Sequence, residues 1–216
     1  MISINLKKRI YTSLVLFFLI FMILNFNSIL LYTLILIGIY SILEFLNIVK
    51  KIFINKFYTI ITNIFFILYI FLFCFIFYFS SSFPLLKIII FSTLFTCIGS
   101  DIGGFIFGKI FKGPKLTKIS PKKTYSGAFG SILFSSFLLP TLIFFYTKVF
   151  DIKIIFIGVI TSIACQLGDL FISFLKRKAK LKDTGNILPG HGGMLDRVDS
   201  LLLGIPIGLL SLILFL

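Results

Sequence analysis

The residues best suited to chemistry are gathered between Ser173 and Asp199, in a chain that is otherwise strongly apolar. Together with Asp169 just before it, this stretch holds four of the seven acidic residues, six of the 21 Lys and Arg residues, and the single histidine. Magnesium is held in proteins by one or two carboxylates together with substrate phosphates, and Lys and Arg bind phosphate oxygens. The combination predicts a site for phosphoryl or nucleotidyl transfer.

A glycine-rich turn lies inside this stretch. Pro189 and Gly190 precede His191, and Gly192 and Gly193 follow it. Glycine leaves backbone N–H groups open to a close ligand, so the turn could approach a phosphate. His191 has two interpretations that the residues alone leave open: it contacts substrate, or it only forms a hydrogen bond within the turn.

A second polar stretch, residues 109–127, repeats the pattern of cations and hydroxyls. The members suited to phosphate oxygens are Thr117, Lys118, Ser120, Lys122, Lys123, Thr124 and Ser126. Hydroxyl and ammonium groups together suit phosphate, but the spacing of a Walker A loop is absent. A basic loop beside a membrane is also expected from topology alone, so this signal is weaker than the first.

Apolar runs must position both stretches. The chain has 216 residues, 59% of them hydrophobic, and its runs reach the roughly 20 residues that cross a bilayer as a helix. We predict an all-α, polytopic membrane protein with about seven spans: residues 10–24, 28–49, 57–79, 88–107, 128–145, 154–175 and 201–216. The first follows Lys7, Lys8 and Arg9 without a small-residue cleavage site after it, so we expect an uncleaved span.

The basic residues predict the orientation of these spans. Of the 21 Lys and Arg residues, 18 fall at the amino terminus and in alternate loops, and cytoplasmic loops are enriched in such residues. We therefore expect a cytoplasmic amino terminus, an external carboxy terminus, and cytoplasmic loops at 108–127 and 176–198. We expect the chain to divide into two regions: residues 1–86, which contain the first three spans, and residues 87–216, which form the catalytic region. Topology accounts for most of the net charge of +14, so no nucleic-acid partner is expected.

Acidic groups inside the predicted spans are a second signal, because each costs about 2.5–3.5 kcal/mol near the bilayer centre. Asp101 lies on a stripe of small residues that either lines a cavity or only packs helices. Asp169 lies on a polar helical stripe with Ser173 and Lys176. Glu44 is close to the end of its span, and we expect it to reach the interface. We expect the three cysteines, Cys74, Cys97 and Cys165, to be unpaired small residues in helices.

The polar stretch resembles the signature of the phosphatidate cytidylyltransferase family. The matching residues are Ser173, Lys176-Arg177, Lys182-Asp183, Gly185, Leu188-Pro189, His191-Gly192-Gly193, Asp196-Arg197 and Asp199. Upstream residues also fit, namely Ser100-Asp101, Gly104, Gly108-Lys109, Ile119 to Thr124, and Gln166 to Asp169. The resemblance covers about residues 96–203, roughly half of the chain, with Glu44-Phe45 as a further point of similarity.

The resemblance implies an integral membrane enzyme that makes CDP-diacylglycerol and pyrophosphate from CTP and phosphatidate. It implies magnesium, alone or with a second cation, direct in-line transfer, a plasma-membrane location with the active site facing the cytoplasm, and a homodimer. The implied catalytic residues are Asp169, Asp196, Lys176 and Arg177, and the implied metal ligands are Asp169 and Asp196, with Asp199 and Asp183 behind them. The implied substrate-binding residues are Ser120, Lys122, Lys123, Thr124, Ser173, Lys182, His191, Gly192, Gly193 and Arg197.

This chain departs from the family pattern after Thr124. The family usually has an aromatic residue, then Glu or Gln, before a glycine, whereas this chain has Tyr125, Ser126 and Gly127. The chain is also short for the family, so we expect an amino-terminal helix to be missing. Three alternatives stay open: a CTP-using lipid kinase that transfers the γ-phosphoryl group, a transporter that couples protons through Asp101 and Asp169, and an inactive relative.

Overall fold

The computed structural model describes residues 18–185, 187 and 192–215, and most of them lie in long α-helices. The helices are α1 (Asn27–Ile52), α2 (Lys56–Ser81), α3 (Pro84–Phe111), α4 (Tyr125–Thr147), α5 (Ile152–Lys178) and α6 (Leu195–Phe215). The described residues contain no strand, and Lys115 and Thr124 form an isolated antiparallel bridge. The all-α prediction is confirmed.

All six helices are long and apolar enough to cross a membrane, with 21 to 28 residues each. Inside a bilayer the backbone must satisfy its own hydrogen bonds, and a helix does this within one segment. The chain is therefore a multi-pass membrane protein, as predicted. The first predicted span, residues 10–24, falls largely outside the described residues, although residues 18–25 are helical.

The helices extend further into the polar stretches than predicted. Their ends cover 108–111, 125–127, 176–178 and 195–198, which the sequence assigned to the two loops. The helix dipole explains two of these extensions, because it favours acidic groups at the first turn and cations at the last. Asp196 lies in the first turn of α6, and Lys176, Arg177 and Lys178 lie in the last turn of α5. Asp196 and Asp199 are consequently helical residues rather than loop residues.

The described chain divides into two compact units. The first unit comprises residues 1–82 and 175–197. Within it α1 packs on α2, where Phe45 and Phe66 stack with ring centroids 3.7 Å apart. Helix α2 begins after Asn55, whose side chain accepts a hydrogen bond from the Phe57 N–H, a typical amino-terminal cap.

The second unit comprises residues 83–174 and 198–216. Its helices α3 and α4 approach closely because glycines face each other. A Cβ atom at Gly103 would lie 2.8 Å from the Gly130 carbonyl oxygen, and one at Gly127 would lie 2.8 Å from that of Gly104. Small residues allow such approach in membranes, so helix packing is one role of the stripe on α3. Two buried hydroxyls, of Ser100 and Ser162, add a hydrogen bond of 2.9 Å between α3 and α5.

The cysteines are unpaired, as predicted. Cys97 and Cys165 are buried and Cys74 is half-buried. The Cys74 thiol donates to the Leu34 carbonyl oxygen at 3.6 Å. Cys97 and Cys165 both lie against Gly204, where a Cβ atom would meet the two sulfur atoms. They serve as small packing residues in the helices of the second unit.

Candidate active site

A cavity of about 460 Å³ lies within the second unit, bordered by α3, α4, α5 and the connection between α3 and α4. This is a volume typical of small-molecule sites. Its cationic and hydroxyl lining groups are Lys109, Ser120, Lys122, Lys123, Thr124 and Ser131, and its other polar side chains are Asp101, Gln166 and Asp169. The cavity therefore brings together one predicted phosphate-binding set and two of the intramembrane carboxylates.

Lys123 and Asp169 form an ion pair across this cavity. The Nζ–Oδ2 distance is 2.5 Å, and the two side chains are 25% and 30% exposed. Ser173 Oγ, one turn further along α5, donates to Asp169 Oδ1 at 3.2 Å. Asp169 is thus held by the residue types that the sequence predicted for phosphate, and both of its oxygens are in use.

Asp101 lies on α3, facing the same cavity. Its Oδ2 accepts a hydrogen bond of 2.8 Å from Ser200 Oγ on α6. The neighbouring Asp199 is only 9% exposed, and its Oδ1 accepts from the Ser200 N–H at 2.9 Å. Asp101 therefore belongs to the candidate site, and of the two interpretations that the sequence left open for its stripe, the one in which it lines a cavity applies to this residue.

The connection between α3 and α4 is folded back on itself by its own backbone. The Leu116 N–H donates to the Lys123 carbonyl oxygen at 2.8 Å, and the Lys123 N–H donates to that of Ser120 at 3.1 Å. This folding places Ser120, Lys122 and Lys123 in the cavity wall. Thr124 caps α4, because its hydroxyl accepts from the Gly127 N–H at 3.1 Å. The family departure at Ser126 is accommodated locally, where Ser126 Oγ donates to the Lys112 carbonyl oxygen.

The first unit contains a second lysine–carboxylate pair, formed by Lys176 at the end of α5 and Asp196 at the start of α6. Nζ lies 2.6 Å from Oδ1, and the side chains are only 12% and 9% exposed. Asp196 Oδ2 accepts from the Thr184 N–H at 2.8 Å, the Thr184 hydroxyl at 3.1 Å and the Gly193 N–H at 3.4 Å. These donors fix the carboxylate from the polar segment between the two helices.

Glu44 is the residue of this unit that the sequence misjudged. The expectation that it reaches the interface was wrong: it is 3% exposed. Its oxygens accept hydrogen bonds from the Thr184 hydroxyl at 2.6 Å and from the backbone N–H groups of Met194 and Leu195 at 2.9 Å each. The signals that could have found it are its charge within an apolar run and its place in the family resemblance.

The remaining predicted residues of the polar stretch are spread over its surface. Arg177 is exposed, and its guanidinium donates to the Leu181 carbonyl oxygen at 3.3 Å. Lys182, Asp183 and Arg197 are also exposed. Asp183 lines a separate recess with Lys50 and Lys51. Gly192 has a φ of 84°, which favours glycine, whereas His191 lies outside the described residues.

The carboxylates of the two units are the side chains that could hold magnesium. No group of three or more His, Cys, Asp or Glu side chains is gathered among the described residues. Magnesium does not require one, since it is usually held by one or two carboxylates together with substrate phosphates and water. Asp101 and Asp169, both lining the cavity of the second unit, fit this requirement. Asp196 offers carboxylate oxygens of the same kind within the first unit.

Six membrane-crossing helices with a cavity of lysines, hydroxyls and carboxylates define a membrane protein suited to an anionic, phosphate-bearing ligand. A model of the cytidylyltransferase family matches residues 54–215. The chain belongs to this family. The match extends on both sides of the region where the sequence resemblance was recognised.

Individual relatives agree with the family model. The chain is 46% identical over 125 residues to a phosphatidate cytidylyltransferase of Rickettsia bellii, covering 53% of this chain and 54% of that protein. It is 37% identical over 129 residues to the phosphatidate cytidylyltransferase of Helicobacter pylori, covering 60% of this chain and 48% of that protein. It is 41% identical over 112 residues to the phosphatidate cytidylyltransferase of Staphylococcus haemolyticus, covering 50% of this chain and 42% of that protein. The chain thus matches about half the length of these relatives.

Proposed function

We propose that this chain is a phosphatidate cytidylyltransferase, which converts CTP and phosphatidate into CDP-diacylglycerol and pyrophosphate. The observation that carries the proposal is the cavity of the second unit, where Lys122 and Lys123 share one space with Asp101 and Asp169. Lysines alone would suit any anion. Lysines together with paired carboxylates suit a phosphate that is accompanied by a metal ion. The relatives named above support this choice of reaction.

In the proposed reaction an oxygen of the phosphatidate phosphate attacks the α-phosphorus of CTP. A new P–O bond forms there, and the bond from the α-phosphorus to the oxygen that bridges it to the β-phosphorus breaks. Pyrophosphate leaves with that oxygen and its electron pair, so no oxidant or further reactant is needed. No covalent intermediate with the protein is proposed, and transfer is direct and in line.

Both substrates are anionic, so positive groups must offset their repulsion before attack. We assign Lys122, Lys123 and Ser120 to the phosphates of CTP, with Lys109 at the same cavity. Lys123 Nζ lies 2.5 Å from Asp169 Oδ2. Binding of a phosphate by Lys123 would release that carboxylate, so substrate entry and exposure of the carboxylate are coupled in this proposal.

The remaining signature residues receive their roles from the family resemblance. Asp196 is proposed as a metal ligand, with Asp199 and Asp183 in support, and Lys176, Arg177, Lys182 and Arg197 are proposed for phosphates. Ser173, Thr124, His191, Gly192 and Gly193 complete the proposed substrate-binding set. Asp101 is added to the carboxylates because it lines the same cavity as Asp169.

Magnesium is the proposed cofactor: Asp169 and Asp101 would hold it in the second unit, and Asp196 offers a carboxylate for it in the first unit. When bound, it supplies positive charge to the phosphate oxygens. The chain's own residues would orient those oxygens, through the lysines, and keep the carboxylates in place, through the hydroxyls of Ser173 and Ser200.

The proposed setting is the plasma membrane, with phosphatidate entering from the bilayer and CTP from the cytoplasm. The proposal that the amino terminus and both polar stretches face the cytoplasm is supported by the distribution of Lys and Arg, which are enriched in cytoplasmic loops. A homodimer is suggested by the family, and light scattering of the purified protein in detergent would test it.

The activity is tested by following labelled CTP with phosphatidate and magnesium in detergent micelles. The test variant is Asp169→Asn, and the matched control is Asp151→Asn. Asp151 accepts a hydrogen bond from the Lys153 N–H at 2.8 Å, which asparagine can also accept, and it does not line the cavity. We expect wild type and the control to form CDP-diacylglycerol, and Asp169→Asn to lose about a hundredfold or more, as when one preorganised electrostatic group is removed.

The products separate this proposal from its alternatives. A phosphorylated lipid with CDP as the second product would identify a lipid kinase instead. No lipid product from wild type, with or without magnesium, would refute the proposed activity. Equal activity of Asp169→Asn and wild type would refute the assignment of the cavity.

A further inference from the structure

Glu44 is the most deeply buried carboxylate among the described residues, and the proposed reaction gives it no role. It lies in α1, at 3% exposure. Within the part of the chain that the structure describes, neither of the two salt bridges involves it. A buried charge without hydrogen bonds is strongly unfavourable, so its surroundings must satisfy it in another way.

Backbone and hydroxyl donors satisfy it at the start of α6. Oε1 accepts from the Met194 N–H, and Oε2 accepts from the Leu195 N–H and the Thr184 hydroxyl, at 2.9, 2.9 and 2.6 Å. The first N–H groups of a helix have no partner within the helix, and the helix dipole favours an anion there. Glu44 therefore caps α6 from a different helix, about 150 residues earlier in the chain.

The signature glycines make room for this carboxylate. A Cβ atom at Gly185 would lie 2.9 Å from Cδ of Glu44, and one at Gly193 would lie 2.5 Å from Oε2. Such distances are far below van der Waals contact. The polar segment thus wraps closely around Glu44, and the glycines at these two positions are explained by that contact.

Thr184 connects Glu44 to Asp196. Its hydroxyl lies 2.6 Å from Glu44 Oε2 and 3.1 Å from Asp196 Oδ2, while its N–H donates to Asp196 at 2.8 Å. Glu44 also holds Leu195, the residue directly before Asp196. Two independent routes, one through a side chain and one through the backbone, therefore run from Glu44 to Asp196.

We propose that Glu44 is a positioning residue: it fixes Thr184 and the first turn of α6, and so sets the orientation of the Asp196 carboxylate. Its effect on catalysis rests on the proposed function, in which Asp196 binds the metal. Its structural effect, the ordering of the first turn of α6, does not depend on that function.

The test variant is Glu44→Gln, which keeps the size of the side chain. One oxygen becomes an NH₂ group, so in either orientation the amide places a donor against the N–H of Met194 or Leu195. The matched control is Ser41→Ala, one turn earlier on α1. Ser41 is fully buried, and its hydroxyl has no hydrogen-bond partner among the described residues.

The first readout is hydrogen exchange of the amides of residues 193–197, measured in detergent without metal or substrate. We expect about tenfold faster exchange in Glu44→Gln, the order expected from loss of a helix cap, and no change in Ser41→Ala. Unchanged exchange in Glu44→Gln would overturn the proposal. This readout holds even if wild type makes no CDP-diacylglycerol, so failure of the proposed function remains distinguishable.

The second readout is the dependence of activity on magnesium concentration. Loss of a residue that orients a metal ligand typically lowers metal affinity by about 10–100-fold. We expect Glu44→Gln to need about tenfold more magnesium for half-maximal rate and to recover much of the rate at saturation. A lower maximal rate with an unchanged magnesium requirement would indicate a merely structural role and contradict the proposal.

A milder pair of variants keeps the test valid if Glu44→Gln does not fold. Thr184→Val removes the hydroxyl between the two carboxylates at nearly constant size, whereas Thr184→Ser retains it. We expect both readouts to shift in the same direction for Thr184→Val, by a smaller factor, and to return close to wild type for Thr184→Ser. Equal behaviour of Thr184→Val and Thr184→Ser would refute the route through the hydroxyl.

Discussion

Lys176 and Asp196 should respond very differently to neutralisation, although they form one ion pair. Among the described residues, Asp196 has four donors around it: Lys176 Nζ, the Thr184 N–H, the Gly193 N–H, and the Thr184 hydroxyl, whose single proton it shares with Glu44. Within the part of the chain that the structure describes, Lys176 donates to one acceptor, Asp196. Asp196→Asn weakens all four interactions, whereas Lys176→Met removes only one and leaves the carboxylate with its other donors.

The burial and contacts of the pair give the expected losses in the free energy of unfolding. At 12% and 9% exposure the pair is largely buried, and removal of one partner of a buried pair costs about 3–5 kcal/mol. We assign this cost to Asp196→Asn. A hydrogen bond to a charged group contributes about 1.5–3 kcal/mol, and we assign this smaller cost to Lys176→Met. The double variant should be less destabilised than the sum of the two by about 2 kcal/mol, because the shared interaction is lost only once.

Unfolding in mixed micelles, followed by circular dichroism, would measure the three free energies of unfolding. The matched control is Lys178→Met, at the same end of α5, where the lysine is exposed and lies over the Phe53 ring with its Nζ 5.4 Å from the centroid. We expect a loss below about 1 kcal/mol there, as for an exposed cation–π contact. A larger loss for Lys176→Met than for Asp196→Asn, or additive effects of the two, would refute the reasoning.

Two further variants test how the second unit builds its cavity. Gly127→Ala should destabilise the protein by about 1–3 kcal/mol and raise the KM for CTP. The reason is that its Cβ would lie 2.8 Å from the Gly104 carbonyl oxygen and push α3 and α4 apart. An unchanged free energy of unfolding would contradict that close approach. Thr124→Ala should cost about 1 kcal/mol through loss of the α4 cap, and Thr124→Ser should restore most of it; equal losses in both variants would show that the hydroxyl does not act as a cap.

The helices were predictable because their signal is local. The length and composition of an apolar run of some 20 residues are enough to predict a membrane span, whatever the run packs against, so each of the six described spans was predicted. The ends of the helices were not predicted correctly. At α6, for example, the charge of Asp196 indicated a loop, whereas the helix dipole accommodates that charge in the first turn. The predicted division into residues 1–86 and 87–216 and the roles of individual site residues stay predictions.

The candidate site was predictable in part for the same reason. The lysines and hydroxyls of residues 120–124 are consecutive in sequence, so their shared position in the cavity follows from local folding. The contacts of Glu44 are different, since its partners Thr184, Met194 and Leu195 are 140 to 151 residues away. Neither charge nor spacing in one sequence identifies such partners, and the nearby Lys50 and Lys51 favoured the wrong explanation.

Three carboxylates of this chain have hydrogen-bond donors of different kinds, and the difference matches the functions proposed for them. Asp169 and Asp196 each have one oxygen held by a lysine side chain, at 2.5 and 2.6 Å, although the other oxygen of Asp196 also accepts from the Thr184 and Gly193 N–H groups. A lysine can turn toward a phosphate and leave its carboxylate open to a metal ion, because its stem is flexible. Glu44 is held by backbone N–H groups, which cannot turn away without unfolding the first turn of α6. A carboxylate that must exchange partners during a reaction needs the first arrangement, and one that must stay fixed needs the second.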